Sequence, residues 1–160
     1  VEGVLEGLLG VNLPSGPQLF GRLDVALLSA LGVDAASFGN QDLALGPTAL
    51  ANALRASGTW PGAPFPSLSA NVEFPAPLAG SPNIAPSAVV VEGGERIGLI
   101  GLTTPLLESL AKTLGGIRFA DLPGVDGLAE LAAIVNAEVQ RLTTLNPGLD
   151  KIVLLSHLQN

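Results

Sequence analysis

The chain contains no cysteine, which excludes a disulfide framework and any thiolate metal site and leaves its compartment open. Positive charge is scarce: seven Lys and Arg stand against fourteen Asp and Glu, for a formal net charge of -7, and the cations are scattered. No basic face for a nucleic acid can be assembled from them. An acidic chain that handles phosphate esters would need metal ions to offset its charge. Long apolar runs are missing as well, although 48% of the residues are hydrophobic and the mean hydropathy is +0.50. The richest stretches, Val25 to Ala36 and Ile97 to Leu102, are broken by Asp34, Gly98 or Gly101. They fall short of the roughly 20 apolar residues of a membrane span and suit buried strands and helices. No Gly-rich phosphate loop, nucleophile elbow, clustered carboxylate pair, internal repeat or low-complexity tract is present. The first residue is Val1, with no basic segment leading into an apolar run, so no signal peptide is visible and a processed, trimmed or partial chain is expected.

What is present alternates between strand and helix. Pro17 to Leu31 spaces Leu19, Phe20, Leu23, Leu27, Leu28 and Leu31 helically, and Gly32 stops that helix. Val33 to Phe38 reads as a short buried strand, with Gly39-Asn40-Gln41-Asp42 as the loop at its C-terminal end. Pro47 opens a helix over Thr48 to Ala56, which Ser57-Gly58 ends. Trp60 to Pro66 is a loop, Ser67 to Val72 a strand and Glu73 to Pro86 a long proline-rich loop. Ala88 to Glu92 and Arg96 to Leu102 flank Gly93-Gly94-Glu95 as a hairpin. Thr103-Thr104-Pro105 leads into a helix ending at Leu114, and Ile117 to Ala120 is a brief strand. From Val125 to Leu142 a helix turns Leu128, Leu131, Ala132, Val135 and Val139 inward, with Glu138 and Arg141 on its wet side. After the Asn146-Pro147-Gly148 turn, Ile152 to Leu155 forms an apolar strand that ends at Ser156-His157. The class is α/β with a mixed sheet.

Functional groups in such folds collect where strands end, because the strand aims loop side chains into a crevice. Two segments have that form, Phe38 to Asp42 and Leu154 to His157. An amide oxygen on Asn40 and an imidazole nitrogen on His157 are both usable metal ligands. Two plainer roles stand beside that one: His157 as a hydrogen-bonded structural residue, and Asn40 as a turn residue in a left-handed backbone. Asp24, Asp34, Asp121 and Asp126 are accounted for by capping and solvation.

Five segments taken in order resemble the 5′-nucleotidase branch of the calcineurin-like metallophosphoesterases. Leu28 to Ala35 is similar to a "nALGyDA" passage, and Phe38-Gly39-Asn40-Gln41-Asp42 stands where that family has "GNHE" or "GNHD". Pro66 to Val72 looks like "FPvLSANv", Glu95 to Pro105 like "kIGiIGlTTP", and Lys151 to Leu158 like the strand ending in "LSHlg". The resemblance implies part of a two-sheet mixed β-sandwich flanked by helices. On it, residues 17–160 form the family-like core of an incomplete catalytic domain behind a variable lead-in, 1–16.

The resemblance further implies a hydrolase of phosphoric esters, acting on nucleotides or similar small phosphate esters, with two divalent metal ions (Zn, Mn, Fe or Ca) at the strand ends. Asn40 matches the family's asparagine ligand and His157 the histidine ligand of its "SH" motif. It implies a periplasmic or extracellular location, and no nucleic-acid partner and no membrane span are expected. The family's opening Asp-x-His strand and its bridging aspartate would precede residue 1, and its "GHxH" histidines would follow Asn160. The chain by itself is therefore expected to be inactive and to need the remainder of the same polypeptide. Gln41 replaces the histidine that serves the leaving group, and an amide cannot act as a general acid; Asp42 thereby loses its usual partner. A catalytically degenerate binding or structural domain that keeps the fold is the alternative. Gln159, in place of the glycine after "SHl", adds a second amide near the site.

Overall fold

The structure, a computed structural model, describes residues 21–105, 114–119 and 127–158. The lead-in 1–16, residues 17–20 of the first expected helix, residues 106–113 of the helix after Pro105, Ala120, Asp121, Asp126 and Gln159 lie outside the described residues.

The first helix, α1, spans Arg22–Ala30 and ends as expected at Gly32, whose φ of 73° places it in the left-handed region open to glycine. Val33 N–H reaches Leu28 O and Gly32 N–H reaches Ser29 O, the paired bonds of a Schellman stop. Its buried face differs from the expected one: Val25 and Ala26 are covered while Leu31 is 79% exposed. Arg22 is buried too, because its Nε donates to Asn52 O and its guanidinium lies 5.2 Å from the Trp60 ring centre.

The expected strand 33–38 contracts to β1 (Ala36–Ser37), and the expected loop after it is instead a short helix, α2 (Asn40–Ala44). Asp42 makes that helix possible, since its Oδ2 accepts from Gly39 N–H at 2.8 Å and satisfies a donor at the helix start. Helix α3 (Pro47–Leu54) begins at its proline as read from the sequence and ends two residues early. Leu54 O there accepts from Ala63 N–H, and the Trp60 indole donates to Ala53 O.

The expected strand 67–72 divides into β2 (Ser67–Leu68) and β3 (Val72–Glu73), which join different sheets. Asn71 sits at the division, 1% exposed, with its amide bonded to the backbone of Thr103 rather than to a ladder neighbour. The expected long loop 73–86 holds β4 (Ile84–Ala85), which completes a parallel sheet in the order β1-β2-β4. The hairpin is as expected, slightly longer, with β5 (Ser87–Glu92) antiparallel to β6 (Glu95–Thr103). Strand β7 (Arg118–Phe119) pairs antiparallel with β3, helix α4 covers Leu128–Leu145, and β8 (Ile152–His157) runs parallel to β6.

Period-two alternation along β6 explains how these pieces stack. Ile100 and Gly98 face α4: Ile100 is fully buried with Leu142 and Leu149, and a Cβ on Gly98 would meet Ile152, Leu149 and Leu142. Gly101 faces the other way, onto β2, where a Cβ would lie 2.2 Å from Leu68 O. The layers are therefore α1 and α3, the β1-β2-β4 sheet, the β5-β6-β8 sheet, and α4. This is a mixed α/β fold of two three-stranded sheets stacked between helices, together with the two-stranded β3-β7 sheet.

Three placements on α4 are corrected. Glu138 is not on the wet side of α4 but buried at 8% exposure, where its carboxylate accepts from Ser87 Oγ and from Arg141 Nε at 2.8 Å. Conversely Ala132 and Leu128, expected inside, are exposed. An ionised carboxylate can be buried here because β5 and the next helical turn supply its donors. Burial pushes its pKa up, but the bonds from Arg141 and Ser87 together outweigh that and hold it below its ordinary value of 4.5.

Two outcomes follow for stability. Because the folded Glu138 carboxyl titrates below its unfolded value, its contribution is complete above that unfolded value of 4.5 and is lost as pH falls through the folded one. Thermal melts between pH 7 and pH 3 should thus show a steeper acid loss for the native chain than for Glu138→Gln, which should also be weaker at pH 7 by about 1–2 kcal/mol. Gly101→Ala should cost about 3 kcal/mol or more in urea titration, because the obstacle is backbone and cannot swing aside.

Candidate metal centre

The face of β6 that carries Gly101 also carries Thr103, and the ladder pairs Thr103 with His157 of β8. Parallel partners share a face, so the His157 imidazole projects from the sheet on the side where β1 and α2 lie. Phe38 N–H continues the β1 direction by donating to Leu68 O, after which Gly39 starts α2 with Asn40 as its first residue. The two strand-end segments singled out from the sequence thus meet: His157 Nε2 and Asn40 Oδ1 are 2.9 Å apart, across 117 residues of chain.

Asn40 is not a left-handed turn residue, because among the described residues every positive φ belongs to glycine. Its amide oxygen can only accept, so in this contact Nε2 carries the proton. Both side chains are accessible, with His157 exposed and Asn40 partly so. Gly39 makes the approach possible, since a Cβ there would stand 3.2 Å from His157 Cε1 and 3.4 Å from Nδ1. Gln41, on the outward side of α2, is exposed, and Asp42 has exchanged an imidazole partner for the Gly39 amide.

Whether these residues fit a divalent cation can be tested on their donor atoms. Ligands bound at about 2.0–2.2 Å and at right angles to one another are about 3 Å apart, the order of the observed separation. An amide oxygen and an imidazole nitrogen suit zinc, manganese or iron, provided that the Nε2 proton leaves or moves to Nδ1 when a cation takes its place. The pair fits as part of a shell and does not complete one. Among the described residues no group of three or more His, Cys, Asp or Glu could hold a metal. A cavity of about 290 Å³ lined by Ala26, Ser29, Trp60 and Pro64 lies against α1 rather than at the pair, and among the described residues no titratable group lines it.

Behind the pair lies a buried polar group that composition and motif reading did not assign any role. Ser69, Asn71 and Thr103 are 4%, 1% and 0% exposed. Thr103 Oγ1 donates to Phe38 O at 3.0 Å and lies 2.9 Å from Ser69 Oγ. Asn71 Oδ1 accepts from Thr103 N–H at 2.9 Å while its Nδ2 donates to Thr103 O at 2.7 Å. The available signal was polarity inside two apolar segments, Ser69-Ala70-Asn71 and Thr103-Thr104.

No family model matches the chain. In sequence it is 33% identical over 138 residues to a 5′-nucleotidase of Mus musculus, an alignment covering 84% of this chain and 21% of that protein. In structure it resembles a 5′-nucleotidase precursor from Thermus thermophilus, with a TM-score of 0.64 and 36% identity over 84% of this chain and 23% of the other. It also shares its fold with the calcineurin-like phosphoesterase YfkN of Bacillus subtilis, at a TM-score of 0.50 and 19% identity, over 91% of this chain and 45% of that one. The chain spans about a fifth of the length of the curated relatives it matches.

Gly39→Ala isolates the geometry of the pair. The backbone at Gly39 (φ -95°, ψ 170°) suits alanine, so stability should change by less than about 1 kcal/mol. The imidazole, in contrast, must shift by a few tenths of an ångström. In the full-length protein a crystal structure should show the Asn40–His157 contact lengthened by a few tenths of an ångström, and calorimetry should show Mn²⁺ affinity lowered about tenfold.

Proposed function

Because the chain belongs to the calcineurin-like phosphoesterases, in their 5′-nucleotidase-type branch, we propose that it is part of a metal-dependent hydrolase of nucleotides or similar small phosphate esters. The observation that carries this reading is the convergence of Asn40 and His157 at 2.9 Å across 117 residues of chain. In it, Asn40 Oδ1 and His157 nitrogen are metal ligands, and the protein holds two divalent ions, Zn, Mn, Fe or Ca, whose other ligands come from the remainder of the same polypeptide. Residues 17–160 form part of the catalytic domain, inactive by themselves because two donors are too few to hold a cation firmly. That the Thermus relative is a precursor supports a periplasmic or extracellular location.

Bound divalent ions would polarise the phosphoryl oxygens and make a water nucleophilic near neutral pH. The chain's own contribution is positional. Asn40 and His157 offer neutral donors, so they add no negative charge beside an anionic ester, which matters in a chain of net charge -7. Asp42, bound to Gly39 N–H, fixes the turn that presents Asn40. Gln41 can hydrogen-bond a leaving-group oxygen but cannot protonate it.

That substitution favours a second reading, a degenerate domain with the fold but without turnover. Leaving-group dependence separates the two. With Mn²⁺ added, the full-length protein should release phosphate from a nucleoside monophosphate, and His157→Ala should lower kcat/KM at least about a hundredfold. Gln41→His should raise kcat on that substrate about tenfold to a hundredfold, with little change on an aryl phosphate whose leaving group needs no proton. No phosphate release from either substrate by the native or the Gln41→His protein would leave the degenerate domain as the answer.

A further inference from the structure

We propose that Thr103 is the positioning residue of the Asn40–His157 pair, setting the distance between the two segments through its buried hydroxyl. The proposal rests on the metal reading only for its consequence in binding, not for its geometry.

Thr103 is connected to both members of the pair. On one side it is the ladder partner of His157, so its backbone sets how far along β8 the imidazole stands. On the other, its hydroxyl donates to Phe38 O, the carbonyl two residues before Asn40. Strand β1 is short, and its backbone pairing is with β2, in the other three-stranded sheet. The Thr103 to Phe38 bond therefore ties the Asn40 segment to β6, the ladder neighbour of the strand that carries His157.

A tie of this kind works only if its anchor cannot slide. The anchor is the Asn71 amide, which takes both backbone groups of Thr103, Oδ1 receiving the N–H and Nδ2 serving the carbonyl. Proton counting fixes the roles of the hydroxyls. Each has one proton; that of Thr103 goes to Phe38 O, so that of Ser69 is shared between Thr103 Oγ1 at 2.9 Å and Asn71 Oδ1 at 3.1 Å. A fully buried network with its partners satisfied is rigid, and rigidity behind a ligand pair is what holds donors at a productive spacing. An isosteric valine would fill the same space and leave Phe38 O without this donor. Serine would keep the donor and remove only a methyl group.

The test uses the full-length protein in native, Thr103→Val, Thr103→Ser and Ser69→Ala forms. The readouts are the Asn40–His157 separation in metal-free crystals, Mn²⁺ affinity by calorimetry, and the melting temperature. Thr103→Val is expected to lengthen the contact beyond hydrogen-bonding range and to weaken Mn²⁺ binding about tenfold to a hundredfold, and Thr103→Ser to stay within about threefold of native. Should the valine protein fail to fold, Ser69→Ala carries the test, with an expected loss in affinity of about threefold to tenfold. The proposal is overturned if Thr103→Val melts lower yet keeps the contact, if Thr103→Ser behaves like valine, or, where valine does not fold, if Ser69→Ala leaves both contact and affinity unchanged. A native protein that binds no Mn²⁺ would sink the metal reading alone, and the crystal separation would still decide the role of Thr103.

Discussion

Everything at the candidate site depends on how closely two sheets approach each other at Gly101. A Cβ there would lie 2.2 Å from Leu68 O, a distance no side chain can occupy, so the strand carrying Thr103 lies directly against β2. That approach brings the ends of β6 and β8 to the end of β1, within reach of side-chain hydrogen bonds. Gly98, three residues earlier, does the same for the opposite face by admitting Leu142 and Ile152. The pair of glycines thus sets the thickness of the fold on both sides of one strand. Their small size matters here through packing, not through unusual backbone angles.

Buried polarity divides into two kinds with different consequences. The cluster of Ser69, Asn71 and Thr103 is neutral and enclosed, and it specifies which backbone atoms meet at the strand ends. The cluster of Glu138, Arg141 and Ser87 is charged and lies at the edge of the α4 packing, with the Arg141 side chain 46% exposed. Its ion pair is therefore partly screened, and its value lies chiefly in fixing the rotation of α4 on the hairpin. A helix drawn from apolar spacing alone misses this, because one charged residue with a dedicated partner can displace an apolar one from the inner face.

The candidate centre also answers a problem set by composition. A chain of net charge -7 repels a phosphate ester, and the pair offered by this fold consists of neutral donors on which cations could gather. Similarity to 5′-nucleotidases is consistent with the proposed chemistry, and in that proposal Gln41 departs from the family pattern at the position that would serve the leaving group. The backbone accommodates the departure without strain, since Asp42 is engaged by Gly39 and does not depend on an imidazole at position 41.

Local features were legible in the chain. The proline at the start of α3, the Gly93-Gly94 hairpin turn and the stop at Gly32 each act over a few residues, where propensity and backbone geometry decide the outcome. The family resemblance also singled out Asn40 and His157, each as a candidate ligand. What the sequence could not show was their contact across 117 residues, the division of 67–72 between two sheets at Asn71, the helical turn at Asn40, or the burial of Glu138. These share one physical reason. Each depends on which polar groups find a hydrogen-bond partner, a distant one for Asn71, for Glu138 and for the Asn40–His157 pair and the Asp42 carboxylate for the turn at Asn40, and that pairing exists only after the chain has folded.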